Sequence, residues 1–286
     1  MNKSDDLEKL RDWIGEKESE VDHITIPAVK RLAAMLDWKD AMAPKHGDVL
    51  PIGWYSVFFS RIAPQSEIGS DGHPKRGDFL PPVPLPRRMF AGRRLHFHND
   101  LQVGDEVRRE AVIKDVTRKQ GRSGEMVFVT VKTSIYTPRA LAIETEQDIV
   151  YRREPDKSAP PVPPKPAPGN GVWKRVITPD NVMLFRYSAL TYNGHRIHYD
   201  HPYVTKTEGY PDLVMNGGLT TLLVFELARA CAASPIQYFS SRNVRPMFVN
   251  RAITLCGEPS ADGKSAKLWA QDDSGALSLD GRAEFV

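Results

Sequence analysis

Residues 214–233 read VMNGGLTTLLVFELARACAA. A short polar turn with adjacent glycines changes there to an apolar run, which predicts a buried helix over residues 219–233. Stretches rich in β-branched and aromatic residues follow and predict strands over residues 243–248, 252–258, 265–271 and 277–285. A strand over residues 173–177 and a short helix over residues 181–188 are predicted before the buried helix. A buried helix followed by antiparallel strands predicts an α+β unit.

The first half of the chain repeats this order of elements. A helix is predicted over residues 27–37, with Thr25 as its N-cap candidate and Pro27 near its first turn. The aromatic stretch 50–60 is either a strand or an apolar wall. The remaining predicted elements are a helix over residues 5–15, a Gly/Pro-rich loop over residues 69–88, and strands over residues 92–97, 106–116, 126–136 and 141–150. The chain is therefore predicted to be a duplicated α+β unit.

A proline-rich segment separates the two halves. Residues 154–170 read EPDKSAPPVPPKPAPGN, and they show neither helical nor strand periodicity. Because proline fixes φ and removes a backbone donor, we expect a semi-extended spacer. A proline-rich ligand for a partner domain is the alternative, but a spacer between two periodic halves needs no partner. The predicted division is a domain over residues 1–153, a linker over 154–170 and a domain over 171–286.

Charge and composition exclude several classes of protein. The 286 residues are 41% hydrophobic and carry a net charge of only +3, with acids and bases interspersed. That charge is too weak to argue for nucleic acid, and it suits an anionic small substrate. The charged N-terminus has no apolar signal core, no apolar run is long enough for a bilayer, and Cys231 and Cys256 lie in apolar surroundings. We therefore expect a soluble, cytoplasmic protein with two buried, reduced thiols.

A second stretch carries the polar chemistry. Residues 186–202 read RYSALTYNGHRIHYDHP and bring an asparagine, several histidines and an aspartate close together. They lie shortly before the predicted start of the apolar helix, where free N–H groups and the helix dipole favour a negative oxygen. Proton-moving groups beside such a helix end are what is needed to add water to an acyl group conjugated to a carbonyl, or to remove it.

At these residues the chain resembles the MaoC-like hydratases and dehydratases of the hot-dog superfamily. The family motif places an Asp, then an Asn, then a His, with the Asp five positions before the His. Here Asn193 and His198 have that spacing and His195 stands at the family's Asn position, so an asparagine occupies the catalytic Asp position. The family's Val-His-Gly motif reads Met215-Asn216-Gly217.

Three stretches indicate which subgroup of this family the chain resembles: LPRRMFAG at residues 85–92, VGD at 103–105 and SALTYNGH at 188–195. It contains 3-hydroxyacyl-thioester dehydratases and the itaconyl-CoA and mesaconyl-C4-CoA hydratases. The resemblance implies a double hot-dog fold, with two antiparallel sheets each wrapped around a long helix. It also implies an acyl-CoA substrate, no cofactor, a non-catalytic first half that helps to form the CoA tunnel, and a homodimer as one possible assembly.

Three residues are predicted to be catalytic. His198 is the acid/base candidate, because imidazole titrates close to neutral pH. Asn193 cannot act as a base, and we expect it to position the attacking water, which favours a single histidine that carries one proton from water to the α-carbon with syn addition. Gly217 is the candidate oxyanion donor, since its N–H lies at the start of the helix and glycine allows close approach of a substrate.

Other residues are predicted to contact the substrate: His195, Asn216, Gly218, Tyr192 and Arg186. His195 fits a structural polar network equally well. Arg87 and Arg88 are alternatives to Arg186 for holding a substrate carboxylate, and ordinary surface charge is an equal explanation for each. No metal is expected, because a site built on the series His195, His198 and His201 would usually need a more distant ligand as well.

The predicted function is reversible hydration of an α,β-unsaturated acyl-CoA, with itaconyl-CoA or mesaconyl-C4-CoA as best guess. One alternative is a 3-hydroxyacyl-thioester dehydratase of fatty-acid synthesis. A thioesterase is another, because the same fold hosts both activities and only Asp212 and Glu226 offer a carboxylate near the helix start. The last is a non-catalytic acyl-CoA binding module, which an asparagine at the Asp position makes worth testing. The first half is predicted to be catalytically silent, since it lacks an Asn/His pair at the matching spacing.

Overall fold

The computed structural model describes residues 9–75, 79–121, 124–153 and 163–286. Its strands are β1 (Lys17–His23), β2 (Arg87–Phe97), β3 (Glu106–Gly121), β4 (Gly124–Tyr136), β5 (Leu141–Arg152), β6 (Trp173–Ile177), β7 (Ile236–Asn243), β8 (Ile253–Pro259), β9 (Ser265–Gln271) and β10 (Leu277–Phe285). Its α-helices are α1 (Ile26–Met35), α2 (Asn181–Leu190), α3 (His201–Lys206) and α4 (Gly217–Cys231). Single 3-10 turns lie at Lys9–Trp13, Lys39–Ala41, Trp54–Val57, Gln65–Glu67 and Arg196–His198.

The strands of both halves form one ten-stranded sheet in the order β1-β3-β4-β5-β2-β7-β10-β9-β8-β6. The halves meet where β2 pairs with β7 in antiparallel register, with Leu95 opposite Phe239. The prediction of two separate sheets is therefore corrected to two half-sheets that share a junction. Pairing β2 with β7 satisfies backbone N–H and C=O groups that would otherwise be exposed at a sheet edge in each half.

The core is also shared between the halves. Residues 219–228 of α4 are all buried, as the apolar run predicts. Leu222 and Phe225 of this helix belong to the same cluster of buried side chains as Trp54 and Leu95 of the first half. Each such large apolar side chain contributes about 1.5–3 kcal/mol of stabilisation when it is fully buried. The packing of α4 therefore holds the two halves together.

Several predicted elements are confirmed. Residues 173–177, 265–271 and 277–285 form strands at the predicted bounds, and α4 begins two residues before its predicted start at residue 219. The N-terminus of α2 is fixed by Asp180, whose carboxylate accepts a hydrogen bond from the backbone N–H of Met183 at 2.7 Å. Thr25 precedes α1 as predicted, but its side chain makes no capping hydrogen bond.

Other predictions are corrected. The strand expected at residues 243–248 lies earlier in the chain, as β7, and ends at Asn243. It was not predicted there because most of its residues are polar, so its pattern is not typical of a strand. Residues 50–60 form an apolar wall around the 3-10 turn at Trp54–Val57, where Gly53 has a φ of 87° that an extended strand excludes. Strand β1 was not predicted, because it is a largely exposed edge strand with the charged sequence KESEVDH.

Parts of three predictions lie outside the described residues. These parts are residues 5–8 of the N-terminal helix, residues 76–78 of the Gly/Pro-rich loop and residues 154–162 of the linker. Residues 9–13 form a 3-10 turn. The domain division at residues 153 and 171 stays a prediction.

Cys256 is buried as expected, whereas Cys231 at the end of α4 is exposed, and both are free thiols. Among the helices of the described ranges, none has the length and apolar character required to cross a membrane.

The junction of the half-sheets is predicted to be critical for stability. Phe239 is fully buried, and its ring centroid lies 4.3 Å from that of Phe225. We expect Phe239→Ala to lower the free energy of unfolding by about 3–5 kcal/mol, through lost burial and the cavity left behind. Urea denaturation measures this loss, with Val244→Ala on the exposed side of the same segment as the control. A loss as small as that of the control would contradict the assigned role of the junction.

Candidate active site

Asn216, immediately before α4, organises the polar cluster. Its side chain is buried, its Oδ1 accepts a hydrogen bond from Nδ2 of Asn193 at 3.1 Å, and its Nδ2 donates to Oγ of Ser188 at 3.2 Å. Its carbonyl accepts from the N–H of Thr220 at 3.0 Å. One amide therefore ties the end of α2 and the loop after it to the start of α4.

Asn193 is held at both ends of its side chain. Its Nδ2 donates to Asn216, and its Oδ1 accepts from the backbone N–H of His195 at 3.0 Å. A carboxylate at position 193 would have no N–H to donate to Oδ1 of Asn216. Two acceptor oxygens would then face each other. Asparagine therefore suits this network, and it leaves the position unable to take a proton.

His198 has one nitrogen committed and one free to react. Its ring is buried, and Nδ1 lies 2.7 Å from the carbonyl oxygen of Val214. Because a carbonyl only accepts, Nδ1 carries the proton and Nε2 of the neutral ring keeps its lone pair. Burial lowers the pKa of His198 to about 4, against the opposing effect of the hydrogen bond to Val214, and the nearby His73 lowers it further. At neutral pH His198 is thus an uncharged base.

Two successive glycines begin α4 in close contact with neighbouring side chains. A Cβ atom on Gly217 would lie 2.9 Å from Nδ2 of Asn243, and one on Gly218 would lie 2.6 Å from the hydroxyl of Tyr187. The first N–H groups of a helix have no acceptor within it, and Thr220 is the residue that bonds back to Asn216. The helix end therefore offers free amides to an oxyanion.

A cavity of about 450 Å³, called the central cavity here, lies between the two halves. The second half lines it with Tyr187, Thr191, Tyr192, Asn193, Gly194, Asn216 and Gly218. The first half lines it with Tyr55, Ser56, Phe58, Phe59, Arg61, His73, Pro74, Arg88, Arg93, Arg109, Thr133, Ile135, Thr145 and Gln147. The first half thus forms much of the wall, as expected of a half that helps to bind the substrate.

The structure brings most of the predicted site residues together. Asn193, Asn216, Gly218 and Tyr192 line the central cavity. His195 lines a neighbouring cavity of about 830 Å³, called the outer cavity, and its ring meets that of His198 edge-on with centroids 5.4 Å apart.

The other predicted residues lie behind or away from these walls. Gly217 and His198 are adjacent to lining residues without being lining residues themselves. Arg186 is exposed on α2 and lines neither cavity, so the structure does not bring it to the site.

Sequence reasoning missed a pair of residues from the first half. His73 lines both cavities, and its ring centroid lies 4.0 Å from that of His195. Its Nδ1 lies 3.3 Å from Oδ2 of Asp71. Burial lowers the pKa of His195 to about 3, and the neighbouring charges of His73 and His198 lower it too. The only signal in the sequence was a carboxylate two residues before an imidazole, in a segment interpreted simply as a loop.

Positive charge dominates the central cavity. Its described lining includes Arg61, Arg88, Arg93 and Arg109 but no aspartate or glutamate. Arg109 is ion-paired with Glu18 at 3.0 Å. Arg93 lies over the ring of Phe90 at 4.7 Å, and its buried Nε has no hydrogen-bond partner among the described residues. The cavity is therefore suited to an anionic ligand.

One group of side chains is close enough to hold a metal ion. Donor atoms of Asp71, His73 and His195 lie within 4.8 Å of one another. Two imidazoles on one tetrahedral zinc ion, with bonds of about 2 Å, would have ring centroids about 5 Å apart. The two ring centroids here are only 4.0 Å apart, with the planes tilted by 38°, so this arrangement does not fit a shared ion.

The histidine series considered for a metal does not converge. Asp200 accepts from the N–H of Tyr203 at 3.1 Å and from Nε of Arg196 at 2.9 Å, so it caps α3 and pairs with Arg196. His201 is exposed and lies 3.7 Å from Asp212.

Comparison with known proteins identifies similar sequences. Residues 53–249 match Htd2, the hydroxyacyl-thioester dehydratase type 2 family. The chain is 45% identical over 274 residues to the mesaconyl-C(4)-CoA hydratase of Chloroflexus aurantiacus, covering 96% of each chain. It is 27% identical over 230 residues to the mitochondrial hydroxyacyl-thioester dehydratase type 2 of Schizosaccharomyces pombe, covering 71% of this chain and 76% of that one.

Solved structures share the fold at low sequence identity. A MaoC-like dehydratase has a TM-score of 0.70 and 14% identity, covering 96% of this chain and 99% of that one. A Mycobacterium tuberculosis protein with a double hotdog fold has a TM-score of 0.59 and 13% identity, covering 98% and 97%. These similarities confirm the predicted hot-dog fold.

Buried neutral imidazoles predict a loss of stability in acid. His195 and His198 have folded pKa values below the ordinary 6.5, so the unfolded chain binds more protons as the pH falls below that value. We expect the unfolding temperature to fall between about pH 7 and about pH 5. His198→Asn is predicted to flatten this dependence, whereas His23→Gln, at a histidine that is 60% exposed, leaves it unchanged. Equal slopes for wild type and His198→Asn would contradict the buried neutral state.

Proposed function

Since the chain belongs to the hydroxyacyl-thioester dehydratase type 2 family, we propose that it reversibly hydrates a five-carbon dicarboxylic enoyl-CoA, either mesaconyl-C4-CoA or itaconyl-CoA. Family membership makes the chain a hydro-lyase of acyl thioesters, and the resemblance to MaoC-like hydratases and dehydratases is confirmed. The observation that carries the finer proposal is a buried imidazole base and a free helix N-terminus beside a cavity lined by arginines.

The proposed reaction starts at His198. Its Nε2 takes a proton from water while the water oxygen bonds to the β-carbon of the substrate. The electron pair of the carbon–carbon double bond moves toward the thioester, and the negative charge on the thioester oxygen is stabilised by the amides that begin α4. A proton then bonds to the α-carbon and restores the carbonyl, so that one water has been added.

Gly217 was predicted to supply the amide, and Gly218 is the residue of this pair that lines the central cavity. We propose that the two successive N–H groups form the oxyanion site together. Removal of one such donor typically costs about 3–4 kcal/mol of barrier. Asn193 and Asn216 are hydrogen-bonded to each other and line the central cavity, which supports the water-positioning role proposed for Asn193.

The arginines support a dicarboxylic substrate. A substrate such as mesaconyl-C4-CoA carries a free carboxylate at the end of its acyl group, and a guanidinium can bind it with two parallel hydrogen bonds. Arg109 is ion-paired with Glu18 at 3.0 Å and with Glu20 at 3.1 Å, whereas Arg93 is hydrogen-bonded to the uncharged hydroxyl of Tyr55 and its Nε has no partner among the described residues. We propose Arg93 as the carboxylate-binding residue, in place of Arg186.

The alternatives fit the cavity less well. A dehydratase of fatty-acid synthesis would place a growing apolar chain against several guanidinium groups. A thioesterase would need a free carboxylate, but Glu226 is hydrogen-bonded to Nε1 of Trp54 at 3.0 Å and to Arg229 at 2.9 Å. Asp212 accepts from the N–H of Leu213, and neither acid lines the central cavity. A homodimer and a cytoplasmic location remain predictions.

The function is tested by offering the purified protein mesaconyl-C4-CoA, itaconyl-CoA and crotonyl-CoA. We expect water addition to a dicarboxylic substrate, with kcat/KM at least about tenfold above that for crotonyl-CoA, because only the former gives the arginines a carboxylate partner. Loss of enoyl-thioester absorbance and the mass of the product measure the reaction. Release of free CoA thiol would instead indicate a thioesterase, and absence of turnover on every substrate would overturn the hydratase proposal.

His198→Gln separates the enzyme from a binding module. We expect it to lower kcat by about 10²–10⁴-fold while substrate binding persists, because the variant loses only the proton-transfer group. His201→Gln, at an exposed histidine outside both cavity linings, serves as the control.

The role of Arg93 predicts a change that depends on the substrate. Arg93→Met is expected to lower kcat/KM for the dicarboxylic substrate by about 10–100-fold and to leave crotonyl-CoA nearly unaffected, since crotonyl-CoA has no free acyl carboxylate. Steady-state kinetics on both substrates measures the difference. Arg242→Met is the control, because Arg242 pairs with Asp280 and does not line the central cavity. An equal loss on both substrates would assign Arg93 to packing or to the CoA moiety.

A further inference from the structure

We propose that His73, oriented by Asp71, is a second acid/base residue of this active site and that the first half of the chain supplies it. The inference rests on the proposed hydratase function and adds a catalytic group to it. The sequence predicts a silent first half, because that half lacks an Asn/His pair at the spacing of Asn193 and His198. The geometry of residues 69–75 points to a different conclusion.

The loop that carries His73 is fixed against the second half by close backbone contact. Gly72 has a φ of 88°, and a Cβ atom there would overlap the carbonyl oxygen of Gly194. In turn, a Cβ on Gly194 would lie 2.7 Å from the carbonyl oxygen of Gly72. The N–H of Arg196 donates to the carbonyl of Asp71 at 2.8 Å, and its Nη1 donates to the carbonyl of Ser70 at 2.9 Å. The two loops can approach this closely only because both carry glycine.

The same loop is also closed by its own hydrogen bonds. The N–H of Gly69 donates to the carbonyl of His73 at 2.7 Å, and the N–H of Lys75 donates to the carbonyl of Glu67 at 2.7 Å. The N–H of His73 donates to Oδ1 of Asp71 at 3.0 Å. His73 is therefore held in position from both sides, as a group that must meet a substrate with fixed geometry requires.

Asp71 fixes the tautomer of the imidazole. Its Oδ2 lies 3.3 Å from Nδ1 of His73, and a carboxylate accepts a hydrogen bond but cannot donate one. Burial acts to raise the pKa of Asp71, but its hydrogen bonds from His73 outweigh this and lower it, so Asp71 is ionised at neutral pH. The proton on Nδ1 then points at Asp71 and leaves Nε2 for proton exchange. Asp71 is therefore a positioning residue.

His73 lies where the network needs a group that can donate a proton. It lines the central cavity together with Asn193, Asn216 and Gly218. Asn193, at the position of the family's aspartate, cannot exchange a proton, and both ends of its amide are occupied. His73, at the cavity wall and paired with a carboxylate, is able to carry a proton there.

Charged and titratable groups surround His73. Asp71 and Lys75 lie on its own loop, His195 and His198 face it from the second half, and Arg61, Arg88 and Glu208 border the cavities it lines. Burial keeps the rings of His195 and His198 neutral. Of these three imidazoles, His73 is the one whose ring nitrogen lies beside a carboxylate and that lines the central cavity.

Two groups then divide the reaction. In hydration, Nε2 of His198 takes a proton from water as the carbon–oxygen bond forms at the β-carbon. The protonated Nε2 of His73 gives its proton to the α-carbon as the enolate returns to a carbonyl. His198 afterwards releases its proton and His73 gains one from solvent, so protons balance over the cycle. In dehydration the two roles are reversed.

The proposal is tested on the substrate that the wild-type protein hydrates, with His73→Gln, His73→Asn and Asp71→Asn. We expect each His73 variant to lower kcat by about 10²–10⁴-fold with little change in KM. Asp71→Asn is expected to lower kcat by about tenfold and to shift the pH profile. Since the proposed role of His73 is proton donation to the α-carbon, the pH profile of kcat is also expected to differ between wild type and His73→Gln.

His23→Gln is the matched control, because His23 also pairs with a carboxylate of the first half, Glu106 at 3.5 Å, but is exposed and lines neither cavity. Wild-type kcat and pH profile in both His73 variants would overturn the proposal and leave the hydratase function standing. Loss of wild-type activity in a chelator, with recovery on added zinc, would overturn it in favour of metal ligation. A wild-type protein that hydrates no enoyl-CoA would overturn the hydratase function and this proposal together.

Discussion

The pairing of β2 with β7 is the constraint on which the rest of the structure depends. It joins two half-sheets into one and sets how the halves face each other. Arg88 and Arg93 lie on β2 itself, while β7 follows directly after α4, whose first residues form the opposite wall of the central cavity. A cavity between the halves is therefore a consequence of one line of backbone hydrogen bonds.

Burial keeps the ring of His198 neutral and reduces stability in acid at the same time. The carbonyl of Val214 fixes the proton on Nδ1 and leaves Nε2 for the proposed proton transfer. The same desolvation makes protonation of the folded protein unfavourable. The hydrogen-bonded amides of Asn193 and Asn216 fill the polar site without adding a charge.

An asparagine at the position of the family's aspartate changes where a second proton donor must come from. No side chain on the loop between α2 and α3 replaces that carboxylate within the described central cavity, and the imidazole in its described lining is that of His73 from the other half. The contact between Gly72 and Gly194 makes this possible, since it brings two backbones together without intervening side chains. The family's single-domain site is thereby proposed to become a site shared by both halves.

The sequence by itself determined the elements with strong local patterns and the polar cluster of the second half. The apolar run of α4, the β-branched strands β9 and β10, and the grouping of Asn193, His198 and Asn216 can all be inferred from neighbouring residues. Only the tertiary structure decided that the half-sheets join, that the charged segment KESEVDH is a strand, and that the ring of His73 contacts that of His195. Those outcomes depend on contacts between residues far apart in the chain, where strand pairing and the close approach of two glycines set the geometry. Local sequence periodicity does not predict such long-range contacts.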